Sequence, residues 1–229
     1  MQFAPDSTTL YQDFQRYYER FIETATTILS EEEIARAKEE FFDLSGRVTE
    51  TDQSMELRYS WFVEYLVFEY QYNYKTPAIC LLEEYQRFSE LERSIYNEFL
   101  NYKKGIFLIR GYEEGLISAL NLADDKIIPV YTTSEAEVFE KNSIFQGNVF
   151  RYQGRYFFSP AVLVHPGYVS SLIVKTFRKK IKGDDVRFRE FFWMLARLKL
   201  KQERFPRIPP VEIYKQVLGN ESSWIFKTI

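Results

Sequence analysis

The residues best placed to do chemistry in this chain are cations in its last third. Lys175, Arg178, Lys179 and Lys182 recur at helical spacing. After Gly183 a second helical pattern places Phe188, Phe191, Phe192, Leu195 and Leu198 on one face. Arg187, Arg197 and Lys201 fall largely opposite that face, Arg204 continues them, and Trp193 lies near the basic side. Cations beside an exposed indole suit RNA or the ribosome, because the charges meet phosphates and the ring stacks on a base. An acidic protein surface would be drawn by the same charges. The competing reading is a solvated face that offsets negative charge elsewhere in the chain. If the surface binds, replacing Arg197, Lys201 and Arg204 by Glu is expected to abolish partner capture without unfolding the protein.

Catalytic chemistry has weaker footing. Glu64 and Glu69 interrupt an apolar helical run and invite a general-acid reading, since burial raises a carboxyl pKa. Five residues apart on a helix, they point about 140° from each other. An ion pair with an arginine, or exposure at a helix edge, is the expected role. An enzyme with a carboxylate in an aromatic cleft is the alternative. His165 is the only histidine and has no clustered partner with metal-ligand spacing. Cys80, the only cysteine, sits in Ile79-Cys80-Leu81-Leu82, the setting of a small buried hydrophobe. No phosphate-cradling glycine loop or nucleophile elbow is present. No catalytic residue, metal ligand or cofactor is assigned.

Elements must hold these groups in place, and the composition supplies a core for them. The 229 residues include 21 Phe, 17 Tyr and 3 Trp, enough apolar area for a core without disulfide or metal. Net charge is -3 overall, but residues 1–100 carry 9 Lys/Arg against 20 Asp/Glu, and residues 171–229 carry 14 against 6. The apolar run Trp61–Tyr72 is too short for a bilayer, where about twenty residues are needed. Met1–Asp6 lacks the pattern of a secretory leader, so the cytoplasm is the expected address.

Periodicity divides the chain into three. Leu10, Phe14, Tyr17, Phe21, Ile28 and Leu29 form one helical stripe, with Asp6 or Ser7 as N-cap. Ser30–Glu33 and Ser89–Glu92 read as capping boxes, Gly46 as a helix stop, Ser54–Tyr72 as a central helix, and Thr76-Pro77 as a helix start. At Gly105 the period shortens to two. Strands are predicted at 106–109, 116–120, 127–131, 149–152 and 155–158, the last two joined by Gln153-Gly154, with a short helix at 134–141. Beyond Pro166 helices are predicted at 167–181, 184–203 and 211–218, and the Trp224-Ile225-Phe226 tail is apolar enough to dock.

The segment Glu64-Tyr65-Leu66-Val67-Phe68-Glu69-Tyr70 with Thr76-Pro77, together with Gly147, Gly154 and Tyr156-Phe157-Phe158, resembles a group of uncharacterised bacterial cytosolic proteins. Those pair a W-F-x-F-D-aromatic and T-P helical segment with a small β-unit. Some end in a zinc tail like that of the preprotein translocase ATPase. The likeness spans about residues 55–165. Glu69 stands where the group has Asp, the zinc tail is absent here, and the resemblance implies an architecture but no activity. The expected fold is α+β: a helical domain at 1–104, a small antiparallel β-module or partial barrel at 105–165, and basic helices at 166–229 packing on the body. The expected function is binding through those last helices, to an acidic protein surface or to RNA.

Overall fold

The computed structural model describes residues 7–84, 87–132 and 140–219. The fold is α+β, with helices before and after a central set of strands. Five helices come first: α1 (Ser7–Thr26), α2 (Glu31–Ser45), α3 (Met55–Phe68), α4 (Pro77–Glu84) and α5 (Glu90–Leu100). Six strands follow: β1 (Lys103–Glu113), β2 (Leu116–Asn121), β3 (Ile127–Tyr131), β4 (Ile144–Tyr152), β5 (Arg155–Phe158) and β6 (Leu163–His165). Then come α6 (Gly167–Lys180), α7 (Asp185–Arg204) and α8 (Pro210–Leu218).

Local signals set most boundaries. Ser89 and Glu92 form the complete reciprocal box at the start of α5. At α2 only half of the expected box exists. Ser30 accepts from the Glu33 N–H, while the Glu33 carboxylate is held by Arg36 and by the Tyr70 hydroxyl. α2 ends at Gly46, whose φ of 95° favours glycine. A Cβ there would also lie 3.0 Å from Leu200 Cδ2, so α2 closes tightly against α7. α3 stops at Phe68, four residues before the predicted end, because Tyr72–Lys75 turns back on itself. The Asp6 cap, most of the 134–141 helix and the Trp224–Phe226 tail lie outside the described residues.

The strands close on themselves. β1 pairs with β2 and β4, β2 with β3, β3 with β5 and β5 with β4, and β6 adds to the free side of β4. The five-strand circuit is a small Greek-key barrel of the kind OB-folds use. One pair departs from the antiparallel module expected. β3 and β5 run parallel, because β3 runs with β1 by way of β2, and β4, antiparallel to β1, returns β5 in that same direction through the β4–β5 hairpin. Phe107, Ile109, Ile117, Val130, Phe145 and Val149 fill the interior.

Helices cover the barrel on two outer sides. Phe150, Tyr152 and Phe157 face α1, with Phe150 also meeting Phe68 of α3 and Phe99 of α5; Phe14 is fully buried there and stacks on Phe157 at 4.8 Å. On the other side Ile106, Leu108, Ile144 and Leu163 meet Trp61, Ile173, Phe192 and Tyr214, so one core runs through α2, α3, the barrel wall, α6, α7 and α8. Burying a phenylalanine such as Phe14 contributes about 1.5–3 kcal/mol, which is how an aromatic-rich chain holds these layers together.

Candidate functional site

α6 starts where Pro166 and the extended backbone after β6 release the chain into a helix. Val169, Ile173 and Phe177 anchor its inner face in the core. Its other face looks across a groove of about 840 Å³ at the outer side of β1. Gly167, Ser170, Ser171, Val174, Lys175, Arg178 and Lys179 line the helical wall, and Leu108, Arg110 and Asn142 line the opposite one. Arg110 reaches the groove through a register slip between Ile109 and Gly111 that makes it the extra residue of a β-bulge. Asn142, at φ 71°, is fixed by its N–H donating to Ile109 O at 2.8 Å, and its carbonyl accepts the Ser170 hydroxyl.

The groove is electrostatically lopsided. Arg110, Lys175 and Lys179 are exposed, and among the described residues none of them makes an ion pair. Arg178 stands 3.8 Å from Asp125, whose main partner is Lys182; that hydrogen bond holds the Asp125 carboxyl below its ordinary value. The helix start is the negative end, since a Cβ on Gly167 would lie 3.6 Å from Glu140 Oε1.

The cations of α7 are placed otherwise than predicted. Trp193 is buried, its ring 5.2 Å from Trp61 and edge-on to Phe41 at 5.8 Å, because α7 is enclosed by α2 and α3 where the sequence pattern left an open side. Arg197 Nε donates to Leu44 O at 2.8 Å and Nη2 to Asp43 O, so its guanidinium caps the C-terminal carbonyls of α2. Arg204 makes a two-pronged bond to Asp52 at 2.9 and 2.8 Å and donates to Arg47 O. That bond holds the Asp52 carboxyl well below the usual carboxylate range. Lys201 approaches Gln216 at 3.5 Å, and Arg187 pairs with Asp184 in its own turn. The triple Glu replacement would therefore break helix packing before it could report on a partner.

Sequence reasoning missed two cations. Arg110 lies past the predicted end of its strand, and no signal short of the bulge marks it. Arg58 is fully buried, donating to Ser54 Oγ at 3.0 Å, Ser45 O at 3.2 Å and Ala196 O at 2.7 Å. Burial pushes its pKa down to about 10. A charged residue inside the apolar α3 pattern was its available signal.

The acid-base candidates are all interior. Glu64 is fully buried and accepts from the Tyr18 hydroxyl at 2.5 Å and the Asn148 amide at 2.9 Å. Burial pushes its pKa up to about 7, against the hydrogen bonds from Tyr18, Ser159 and Asn148. Glu69 pairs with Lys104 at 2.5 Å where an arginine was expected. β1 begins beside the end of α3, and Lys104 Nζ also lies 4.3 Å from the Phe192 and Trp193 ring centres. None of the described cavities is lined by Glu64 or Glu69. His165 is fully buried, its Nδ1 2.6 Å from the Tyr214 hydroxyl and its Nε2 2.9 Å from Gln146 Oε1. Gln146 Nε2 donates to Phe192 O at 2.6 Å, so Oε1 accepts from His165 Nε2–H and Tyr214 donates to Nδ1. Cys80 is a buried free thiol whose pKa burial raises. Among the described residues no group of three His, Cys, Asp or Glu could hold a metal ion, and no helix is long and apolar enough to cross a membrane.

The chain matches no protein-family model, no curated protein and no solved structure.

Proposed function

We propose that this chain is a binding protein that meets an anionic partner through the groove between α6 and β1. One observation carries the reading: Arg110, Lys175 and Lys179 surround a single groove with no ion pair among the described residues, in a chain whose net charge is -3. Cations committed to the fold are found in internal bonds, as Arg204 is with Asp52. Cations left unpaired around one concavity raise the local concentration of anions there. The contact therefore narrows from both basic helices to α6, and the partner classes remain an acidic protein surface or a nucleic acid. A reducing cytoplasm is the proposed setting for its single, buried thiol.

Catalysis by Glu64 has less support, since Tyr18 and Asn148 hold both of its oxygens. The test uses polyanionic resin at low salt. Wild type should be retained, Lys175→Glu/Lys179→Glu should elute early, and Arg207→Glu/Lys215→Glu, which changes charge equally away from the groove, should elute with wild type or nearly so. Equal loss in both variants would reduce the groove to a share of overall charge and end the proposal.

A further inference from the structure

We infer that the groove takes single-stranded nucleic acid, with one base stacked on Tyr168. This rests on the groove being a binding site, as proposed above, and adds the class of ligand. Tyr168 is the second residue of α6, is 59% exposed, and among the described residues its ring lies against no other ring. Lys175 follows it by seven residues and Lys179 by eleven. At 100° per residue both fall within about 20° of the tyrosine on the helix surface. One planar aromatic and two cations without an ion pair among the described residues therefore form a line about 16 Å long on α6; Lys175 and Lys179 line the groove, and Tyr168 stands just outside its lining at the start of that line. Arg178 lies beside that line, and Arg110 faces it from the bulge.

Each ligand class would use a different part of this surface. A strand offers alternating phosphates to the cations and a free base face to the phenol ring, and stacking of that kind tolerates any base. A duplex keeps its bases stacked inside and has none to give Tyr168. An acidic peptide satisfies the cations but makes no use of an aromatic lying in register with them. A free nucleotide reaches the ring or the far cations, but not the full line. The exposed Ser171 hydroxyl, between Tyr168 and Lys175, is available to the strand's sugar or phosphate oxygens. Glu140, close to Gly167, repels phosphate from the helix start and leaves the base at that end.

The experiment is fluorescence anisotropy of a labelled single-stranded RNA of about 12 nucleotides, titrated with the full chain across a salt series. Binding is expected with log K falling against log salt at a slope of roughly -3, four cations each releasing about 0.7 counterion. Lys175→Gln should lower that slope by about 0.7. Tyr168→Ala should weaken binding roughly tenfold at an unchanged slope, and Tyr168→Phe should restore it. Both positions are exposed, and far-UV circular dichroism checks that the variants keep the fold. Three arms separate the failures. If polyglutamate or a duplex competes as well as RNA and Tyr168→Ala changes nothing, the groove binds polyanions but the ligand class is wrong. If adenosine monophosphate competes at the same concentration as the strand, the site is for a free nucleotide and the inference is overturned. If the wild type binds no polyanion at low salt, the groove reading itself fails.

Discussion

Glu64 and His165 are both fully buried, yet burial acts on their proton affinities in opposite directions. Desolvation penalises the charged form, so Glu64 is pushed up to about 7 and His165 down to about 3. The groups facing Glu64 are Tyr18 on α1, Asn148 on β4 and Ser159, with Glu69 adding like charge. Those facing His165 are Gln146 and Tyr214, with the cations Lys199 and Arg58 beyond. The two contribute to stability with opposite slopes. For Glu64 the folded value exceeds the unfolded one, so its contribution is complete below about pH 4.5 and is lost as pH rises through 7. For His165 the folded value is the lower, so its contribution is complete above about 6.5 and is lost as pH falls toward 3. Between pH 4.5 and 6.5 the slopes oppose, and wild-type stability should be nearly flat there. Glu64→Gln removes one slope, so its urea midpoint should climb steadily from pH 4 to 6.5 and then level. A variant curve parallel to wild type would mean that Glu64 does not titrate in this window.

At the scale of elements, α7 shows why a basic helix need not be a binding helix. Its cations meet acceptors of the acidic N-terminal third: Arg197 the last carbonyls of α2, Arg204 the Asp52 carboxylate in the turn before α3. The Asp52 side chain is only 4% exposed, so removing its partner leaves a nearly buried charge with hydrogen bonds from Thr49 and the more distant field of Arg58. Arg204→Ala should therefore cost about 2 kcal/mol, discounted from the full penalty of a buried pair because the arginine is 39% exposed. Lys182→Ala breaks an ion pair whose two partners are each 41% exposed and screened by water, and should cost far less than Arg204→Ala. Chemical denaturation of the two variants side by side decides this. Equal losses would place Asp52 in a far wetter setting than its burial indicates. α6 differs because its outer side faces a groove, where among the described residues no acidic helix lines the wall opposite Lys175 and Lys179.

Across the whole molecule, one core joins residues from all three sequence segments: Phe41 and Trp61 from the first, Ile106 and Ile144 from the second, Ile173 and Trp193 from the third. The opposite charges at the two ends of the chain are thereby drawn into contact, and the charge asymmetry of the sequence becomes partly an internal bond. The strands run from Lys103 to His165, and the barrel wall they form shares its packing with helices on both sides. Unfolding should therefore be concerted. Loss of the near-ultraviolet signal of Trp61 and Trp193 should coincide with loss of far-ultraviolet ellipticity in a urea titration. Separated transitions would show that the barrel holds without its helices.

The amino-acid order by itself determined the α+β class, most helix starts, five strands and the hairpin at Gln153-Gly154, because caps, turns and periodicity act over a few neighbours. It also set Lys175, Arg178 and Lys179 at helical spacing on α6, with Lys182 just past its end. Only the tertiary structure decided which cations remain unpaired. Arg197 and Arg204 find partners some 150 residues away, Arg110 enters the groove through a bulge, and Trp193 is covered by helices that the local pattern does not describe. Burial of a side chain is settled by what packs against it, and that neighbour is usually distant in sequence.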